Sequence, residues 1–417
     1  MSRHRLETYL DKVFGFSALV SVLPEGRQFP QHSCKKVFDA VFLSATMQVP
    51  SFLQIEAACR DGALAKRIGP ISDDTLGYAL QRQAPEPVFS LGCQIALRLK
   101  RNGVMRSDWS RGLVVGAVDG IEICSSFARC CDDCMERKVE HKVKGRLQTD
   151  IQYYHRIVAV VVVSSSFPIP LGIRFQKAGE GEVPCALALL NDLVSQLGPR
   201  FLDVLVGDAL YLQAPFVKQV EALGLDWAFT LKENQPDLLR EAERFTQGLP
   251  AAVSSEANQE LHWWHLPELD WPVADRLVRV VKTVRIDNKR HIAIRQQDGH
   301  RIKSKVEAQR KGTNFYATNI ELGSIPPLFI HQLGRSRWRI DVEVFQTITV
   351  DCHLKHPAVH QSNALVLLIM IRMLAYTLSL VFYHRQVRSH AARKWETFHV
   401  FALRLAQWFL APSPNTS

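Results

Sequence analysis

The chain has 417 residues, 47% of them apolar and 22% charged. That is enough apolar chain for a substantial core, which excludes a disordered polypeptide, and enough length for one large or two to three ordinary domains. A formal net charge of +10 and a pI near 9.2 point either to a polyanionic partner, nucleic acid or an anionic membrane surface, or to a generally solvated basic surface.

The start, "MSRHRLETYL", is charged and has no apolar signal-peptide core. With nine cysteines, an odd number, the expected home is a reducing cytoplasm. The first hundred or so residues read as helical. "SFLQIEAACRDGALAKRIG" has apolar residues at helical spacing and ends on Gly69, and "SDDTLGYALQRQ" follows with Ser72 as its N-cap. Two short helices around a Gly-Pro turn are either a base-reading helix-turn-helix or ordinary helical packing.

The texture changes at Gly112. "GLVVGAVDGIEI", "HRIVAVVVVSS" and "IPLGIRFQ" read as three strands, and "CALALLNDLVSQLG" as a helix closed by Gly198. "LDVLVGD" is a fourth strand, "APFVKQVEALG" a helix with Pro215 near its start, and "DWAFTLK" a fifth strand. This order predicts an α/β fold with a sheet of mixed direction. After the polar helix "QPDLLREAERFTQG" the alternation stops. "RLVRVVKTVRI" and "RHIAIRQ" are strands of an all-β insertion with turns at Asp287-Asn288 and Asp298-Gly299, and "TNFYATNI" is another strand after it. From Arg276 to Lys311 there are twelve Lys or Arg residues against three acids, so the basic charge is concentrated there. The remainder is helical. "ALVLLIMIRMLAYTLSLVFY" is long enough to span a bilayer, but Arg372 in its middle would cost roughly 2.5–3.5 kcal/mol there. A buried core helix is expected, and no membrane partner.

Two acids close apolar strands: Asp119 in "GLVVGAVDG" and Asp208 in "LDVLVGD". Sheets of this class place chemistry at the C-terminal ends of strands. If the strands are neighbours, the carboxylates meet, and a hard divalent cation relieves their repulsion. Taken singly, Asp208 reads equally as a helix cap and Asp119 as a turn residue. A third acid lies in "GRSRWRIDVEVFQ", where Arg337 and Asp341 stand four apart on a predicted helix that Trp338 and Ile340 anchor. Glu343 is the alternative third acid. "CCDDCMERKVEHK" places Cys131 and Cys134 in a C-x-x-C with Cys124, Cys130 and His141 nearby, either a zinc knuckle or a loop with reduced thiols.

On the motifs "VVGAVDG", "VLVGDALY", "FTLKENQ" and "RSRWRID", the chain resembles bacterial insertion-sequence transposases of the DDE type. It is most similar to the branch with a β-rich insertion and a Tyr-Arg-Glu-Lys signature helix. The resemblance covers roughly residues 112–360. It implies a ribonuclease-H-like mixed sheet flanked by helices, in which Asp119, Asp208 and Asp341 hold two Mg²⁺ or Mn²⁺ ions. Arg337 falls on the signature Arg, Asp341 replaces the Glu, Gly334 stands where Tyr is expected, and Ile348 where Lys is expected.

The implied organisation is a helical region over 1–111, a candidate for binding DNA ends, and a catalytic core over 112–255 and 313–360. The basic insertion takes 256–312, and C-terminal helices take 361–417. The implied reaction is cleavage at element ends and strand transfer into target DNA, by a homodimer on DNA acting at the nucleoid. Lys232, Arg276, Arg279, Lys282, Arg285 and Arg337 are the expected DNA contacts, and Trp263, Trp264 and Trp271 the candidates for stacking on a flipped base. The competing functions are an inactive DNA-binding derivative and a structure-specific nuclease on the same fold.

Overall fold

The computed structural model describes the chain apart from residues 1–3, 144–145, 257–258, 288–290, 298–299, 307–309, 322, 324, 356, 388–396 and 411–417. Side chains at 4–5, 143, 146, 256 and 287–311 are also outside the description. Most of the concentrated basic segment, including Lys289, Arg290, Arg295, Arg301, Lys303, Lys305, Arg310 and Lys311, therefore lies outside the described residues, as do the turns at Asn288 and Asp298-Gly299.

Six helices come first: α1 (His4–Phe14), α2 (Phe16–Ser21), α3 (Cys34–Thr46), α4 (Phe52–Arg60), α5 (Asp73–Arg82) and α6 (Glu86–Arg101). Then follow β1 (Val115–Ser126), β2 (Met135–Val143), β3 (Arg146–Val162), β4 (Ile169–Phe175), α7 (Glu182–Leu197), β5 (Val204–Gly207), α8 (Ala214–Ala222), β6 (Asp226–Leu231) and α9 (Pro236–Thr246). The β-rich segment contributes β7 (Ala252–Glu256), β8 (Gln259–Trp271), β9 (Arg276–Asp287), β10 (His291–Gln297), β11 (His300–Val306) and β12 (Arg310–Thr318). The chain closes with α10 (Pro327–Ser336), a wide π-turn (Ile340–Phe345), α11 (Gln346–Val350), α12 (Ser362–Phe382) and α13 (Phe398–Leu410). The architecture is a mixed sheet flanked by helices, as the ribonuclease-H-like expectation requires.

The chain divides into two compact units. The first comprises residues 1–114, 118–201 and 339–417. Here β3 is long because its two halves have different partners: Arg146–Tyr154 pairs with β2, and Ile157–Val162 with β4. α7 packs on β3 and β4 through Cys185, Leu189 and Leu193. α12 is the core of this unit and packs on α3 and α5. It is the apolar run that could span a bilayer by length, and most of it is buried in protein. Arg372 is 2% exposed, with Nη1 donating to the Cys352 carbonyl at 3.0 Å and Nη2 to that of Pro50 at 2.8 Å. Burial pushes its guanidinium down to about 10, so it keeps its charge at neutral pH.

Ser72 caps α5 as predicted, its side chain accepting from the Thr75 N–H at 3.2 Å. The helix expected to run on to Gly69 stops at Arg60, and Gly69 follows the turns after it with a positive φ of 71°. α5 turns Leu76, Ala79 and Leu80 inward, and packs on α4 and α12.

The second unit comprises residues 115–117 and 202–338. Its strand order is β1-β5-β6-β12-β9-β8-β7. β1 and β6 both run parallel to β5, and every pairing beyond β6 is antiparallel. The predicted all-β insertion is therefore an extension of the central sheet, joined through the pairing of β12 with β6. β10 and β11 form a separate ribbon in which His291 faces Val306.

Candidate active site

β1 is buried from Val115 to Val118 because those residues belong to a strand covered on both faces. Asp119 follows, half-buried, with one carboxylate oxygen accepting from the Gly120 N–H at 2.9 Å. A Cβ on Gly120 would stand 2.5 Å from the carboxyl carbon of Glu182, so glycine is the residue that lets this carboxylate approach. Glu182, at the start of α7, is bridged to Arg156 at 2.7 Å. No sequence signal marks an acid at this place, since Glu182 reads as an ordinary first-turn helix residue.

β5 is buried throughout and ends on Gly207; Asp208 follows, half-buried. Its Oδ1 accepts from the Leu210 N–H at 2.8 Å and caps the short turn Ala209–Tyr211, not α8. That turn is clamped from the motif after β6. Asn234 donates to the Ala209 carbonyl at 2.5 Å, and Gln235 donates to that of Leu212 at 2.8 Å. Gln235 Oε1 in turn accepts from Trp271 Nε1 at 2.9 Å. Asn234 and Gln235 are positioning residues that sequence reasoning passed over, although "FTLKENQ" contains both.

The register of the parallel pair is Val115↔Val204, Gly116↔Leu205 and Ala117↔Val206. Asp119 lies two residues past Ala117, and Asp208 two residues past Val206. Asp208 thus stands directly past the end of β5, whereas Asp119 lies within β1, just beyond the part of it that pairs with β5.

Asp341 is half-buried in the π-turn, beside fully buried Ile340. Trp338 does not anchor the segment as expected. It is 59% exposed, with the Arg337 guanidinium 4.8 Å over its ring, whereas Ile340 is buried as expected. Glu343 is gripped by Arg339 through two hydrogen bonds, at 2.7 and 2.9 Å. Arg339 also donates to the Ser165 carbonyl at 2.7 Å. Arg339 and Glu343 repeat the four-residue spacing of Arg337 and Asp341.

At Gly334, a Cβ would run into the ring of Tyr316, which is buried on β12. The space next to this helix position is filled by a tyrosine from another element. Ile348, where the signature has Lys, is fully buried, and a lysine there would have to bring its charge into the core.

The basic residues of β9 divide. Arg279 is 4% exposed; it donates from Nε to His265 Nε2 at 2.8 Å and from Nη2 to the Ile325 carbonyl at 3.0 Å. Lys282 donates to Thr246 Oγ1 at 2.9 Å and lies over the Trp264 ring at 4.9 Å. Burial takes Arg279 away from its expected role as a DNA contact, while Lys282, on the opposite face of β9 and partly exposed, is engaged with α9 and β8. Arg276 is bridged to Glu221. Arg285 is half-buried, near enough to Tyr316 to act on its hydroxyl electrostatically. Lys232 is exposed directly after β6. Trp271 is 1% exposed and packs edge-on against Trp227, so it is a core residue and not a stacking platform; Trp263 and Trp264 are partly exposed.

The donor set Asp119, Asp208 and Asp341 consists of hard carboxylate oxygens, none sealed in the core, which fits Mg²⁺ or Mn²⁺. A family model described as a transposase DDE domain matches residues 114–378, a span that contains all three acids. Among solved structures, a piggyBac transposase in a synaptic complex with hairpin DNA is similar at 10% identity and a TM-score of 0.42, over 96% of this chain and 77% of that one. No curated protein matches the sequence. From the family match, the chain belongs to the DDE transposases.

Proposed function

We propose that this chain is a DNA transposase that cleaves at the ends of its element and joins the freed 3′ ends to target DNA. The observation that carries the reading is the in-register parallel pairing of β1 with β5, in which Asp119 and Asp208 each follow the last paired residues, Ala117 and Val206, by two. In this reading Asp119, Asp208 and Asp341 hold two Mg²⁺ or Mn²⁺ ions. When bound, the ions activate the attacking oxygen and stabilise the leaving one in an in-line phosphoryl transfer. Asn234 and Gln235 fix the turn that carries Asp208, which keeps that carboxylate from swinging when DNA arrives. Asp341 directly follows "RWRI", the place where the family has its Glu, which supports it over Glu343 as the third ligand.

Lys232 and Arg337 contact phosphates in this reading, and Arg276 and Arg285 contribute from the edge of β9. The protein acts as a homodimer on paired ends, at the nucleoid in the cytoplasm. One observation favours a second reading, a derivative that binds DNA without cutting it: the signature Tyr and Lys positions hold Gly334 and Ile348.

The test uses the element's own terminal DNA with Mg²⁺. Asp208→Asn should lower cleavage by about a hundredfold or more while retaining end binding, as loss of one charge-stabilising group does. Comparable cleavage by the variant would remove Asp208 from the site. End binding without cleavage by the wild type would establish the binder. Cleavage of branched DNA without end joining would make the protein a nuclease.

A further inference from the structure

Four metal-ligating side chains from three separated stretches of the first unit meet: Cys131, Cys134, His155 and His360. Their ligand atoms all lie within 4.8 Å of one another. The two sulfurs are 3.7 Å apart. His155 Nε2 is 3.3 Å from Cys131 Sγ and 3.4 Å from Cys134 Sγ, and His360 Nε2 is 3.1 Å from Cys134 Sγ. A tetrahedral zinc with Zn–S of about 2.3 Å and Zn–N of about 2.0–2.1 Å separates two sulfurs by about 3.8 Å and a sulfur from a nitrogen by about 3.5 Å. The sulfur–sulfur spacing and the three sulfur–nitrogen spacings given lie within about 0.4 Å of that tetrahedron.

The cluster differs from the sequence expectation in its members. His141, the histidine nearest in the chain, instead faces Asp150 across the β2–β3 pair at 3.4 Å. Cys130 is exposed, its thiol directed to the Cys131 carbonyl at 3.5 Å. The histidines come from a distance in sequence. His155 lies in β3 between Tyr154, the last residue paired with β2, and Ile157, the first paired with β4. It is 2% exposed, and its Nδ1 is buried without a partner, so the polar contacts of the ring are all at Nε2, on the cluster. His360 stands just before α12, in the stretch that follows α11.

We propose that these four residues bind one structural zinc ion as a closed Cys₂His₂ site. Two thiolates and two imidazoles are soft and borderline donors, which select zinc over magnesium. Four protein ligands leave no open position for substrate, so the ion's task is mechanical. Each thiol gives its proton to solvent on binding, and no electron is transferred. The ion ties the turn before β2, the point where β3 changes partner, and the chain leading into α12. The loop over Phe127–Asp133 is largely exposed, so apolar burial alone holds it weakly.

The test is the metal content of the untagged full-length chain, purified under reducing conditions without chelator. About one zinc per chain is expected for such a site. Cys134→Ser and His360→Ala should lose it, while Cys130→Ala and His141→Ala keep it. If the first pair fails to fold, cobalt exchange into the wild type gives a second measurement, and thiolate-to-cobalt charge-transfer bands of a tetrahedral site are expected. Reduced wild-type protein that holds no zinc and gives no such bands would overturn the proposal. So would zinc retained at full stoichiometry in folded Cys134→Ser and His360→Ala. Because the readout is metal content, its failure is distinct from failure of the transposase reading, which is read in DNA cleavage.

Discussion

At the residue scale, His265 shows how a basic side chain can be bound into the fold. Its Nε2 accepts from Arg279 Nε, so the ring's proton sits on Nδ1 and the ring is neutral. Burial, with the Arg279 charge beside it, pushes His265 from 6.5 down to about 4. Between those values the unfolded chain takes up a proton that the folded chain refuses. The stabilising contribution is therefore complete above about pH 6.5 and is lost as the pH falls toward 4. In urea denaturation, the wild type should lose more stability between neutral pH and about pH 4.5 than His265→Gln does. Equal losses would mean that this pair does not couple to protons. Arg279 itself illustrates why its role could not be read from sequence. A basic strand residue looks the same whether it faces phosphate or a neighbouring carbonyl, and only the pairing of β9 with β8 and β12 decides.

At the scale of elements, much of the sheet was legible, while β2, β7 and β8 were not assigned as strands. β1, β4, β5, β6 and β9 announce themselves as apolar, β-branched runs between turn residues. β2 was missed because "MERKVEHKV" alternates charge with little apolar content, and its pairing with the first half of β3 leaves both strands largely exposed. Asp119 and Asp208 stand out in the sequence because each closes an apolar run; the structure ends β5 before Asp208 but carries β1 on past Asp119 to Ser126. The zinc ligands were only half legible, since the C-x-x-C is local but His155 and His360 are brought in by the fold. Likewise, Gly334 looked like a defect in a signature and has a packing reason in Tyr316. Gly334→Ala should destabilise the protein by about 1–3 kcal/mol, the usual cost of overpacking. The same substitution on a Tyr316→Leu background should cost less, and denaturation of the four variants measures the difference. An unchanged cost would show that Tyr316 is not what the added methyl meets.

At the scale of the whole molecule, the excess of positive charge is a statement about partners, and the structure sorts the charges that can meet one. Lys232→Gln and Arg337→Gln should each reduce the slope of log affinity against log salt for DNA by about one. Lys282→Gln should leave that slope unchanged and lower stability, because its ammonium is spent on Thr246 and two aromatic rings. Slopes measured by fluorescence anisotropy over a range of salt separate the two groups. A reduced slope for Lys282→Gln would mean that β9 opens on DNA. The same sorting applies to Arg372, whose task is carried out before any DNA is met. As α12 leaves the ribosome, twenty-one residues resemble cargo for the secretion machinery, and one guanidinium among them penalises transfer into lipid. The arginine that later ties α12 to the carbonyls of Cys352 and Pro50 thus also biases the nascent segment away from mistargeting.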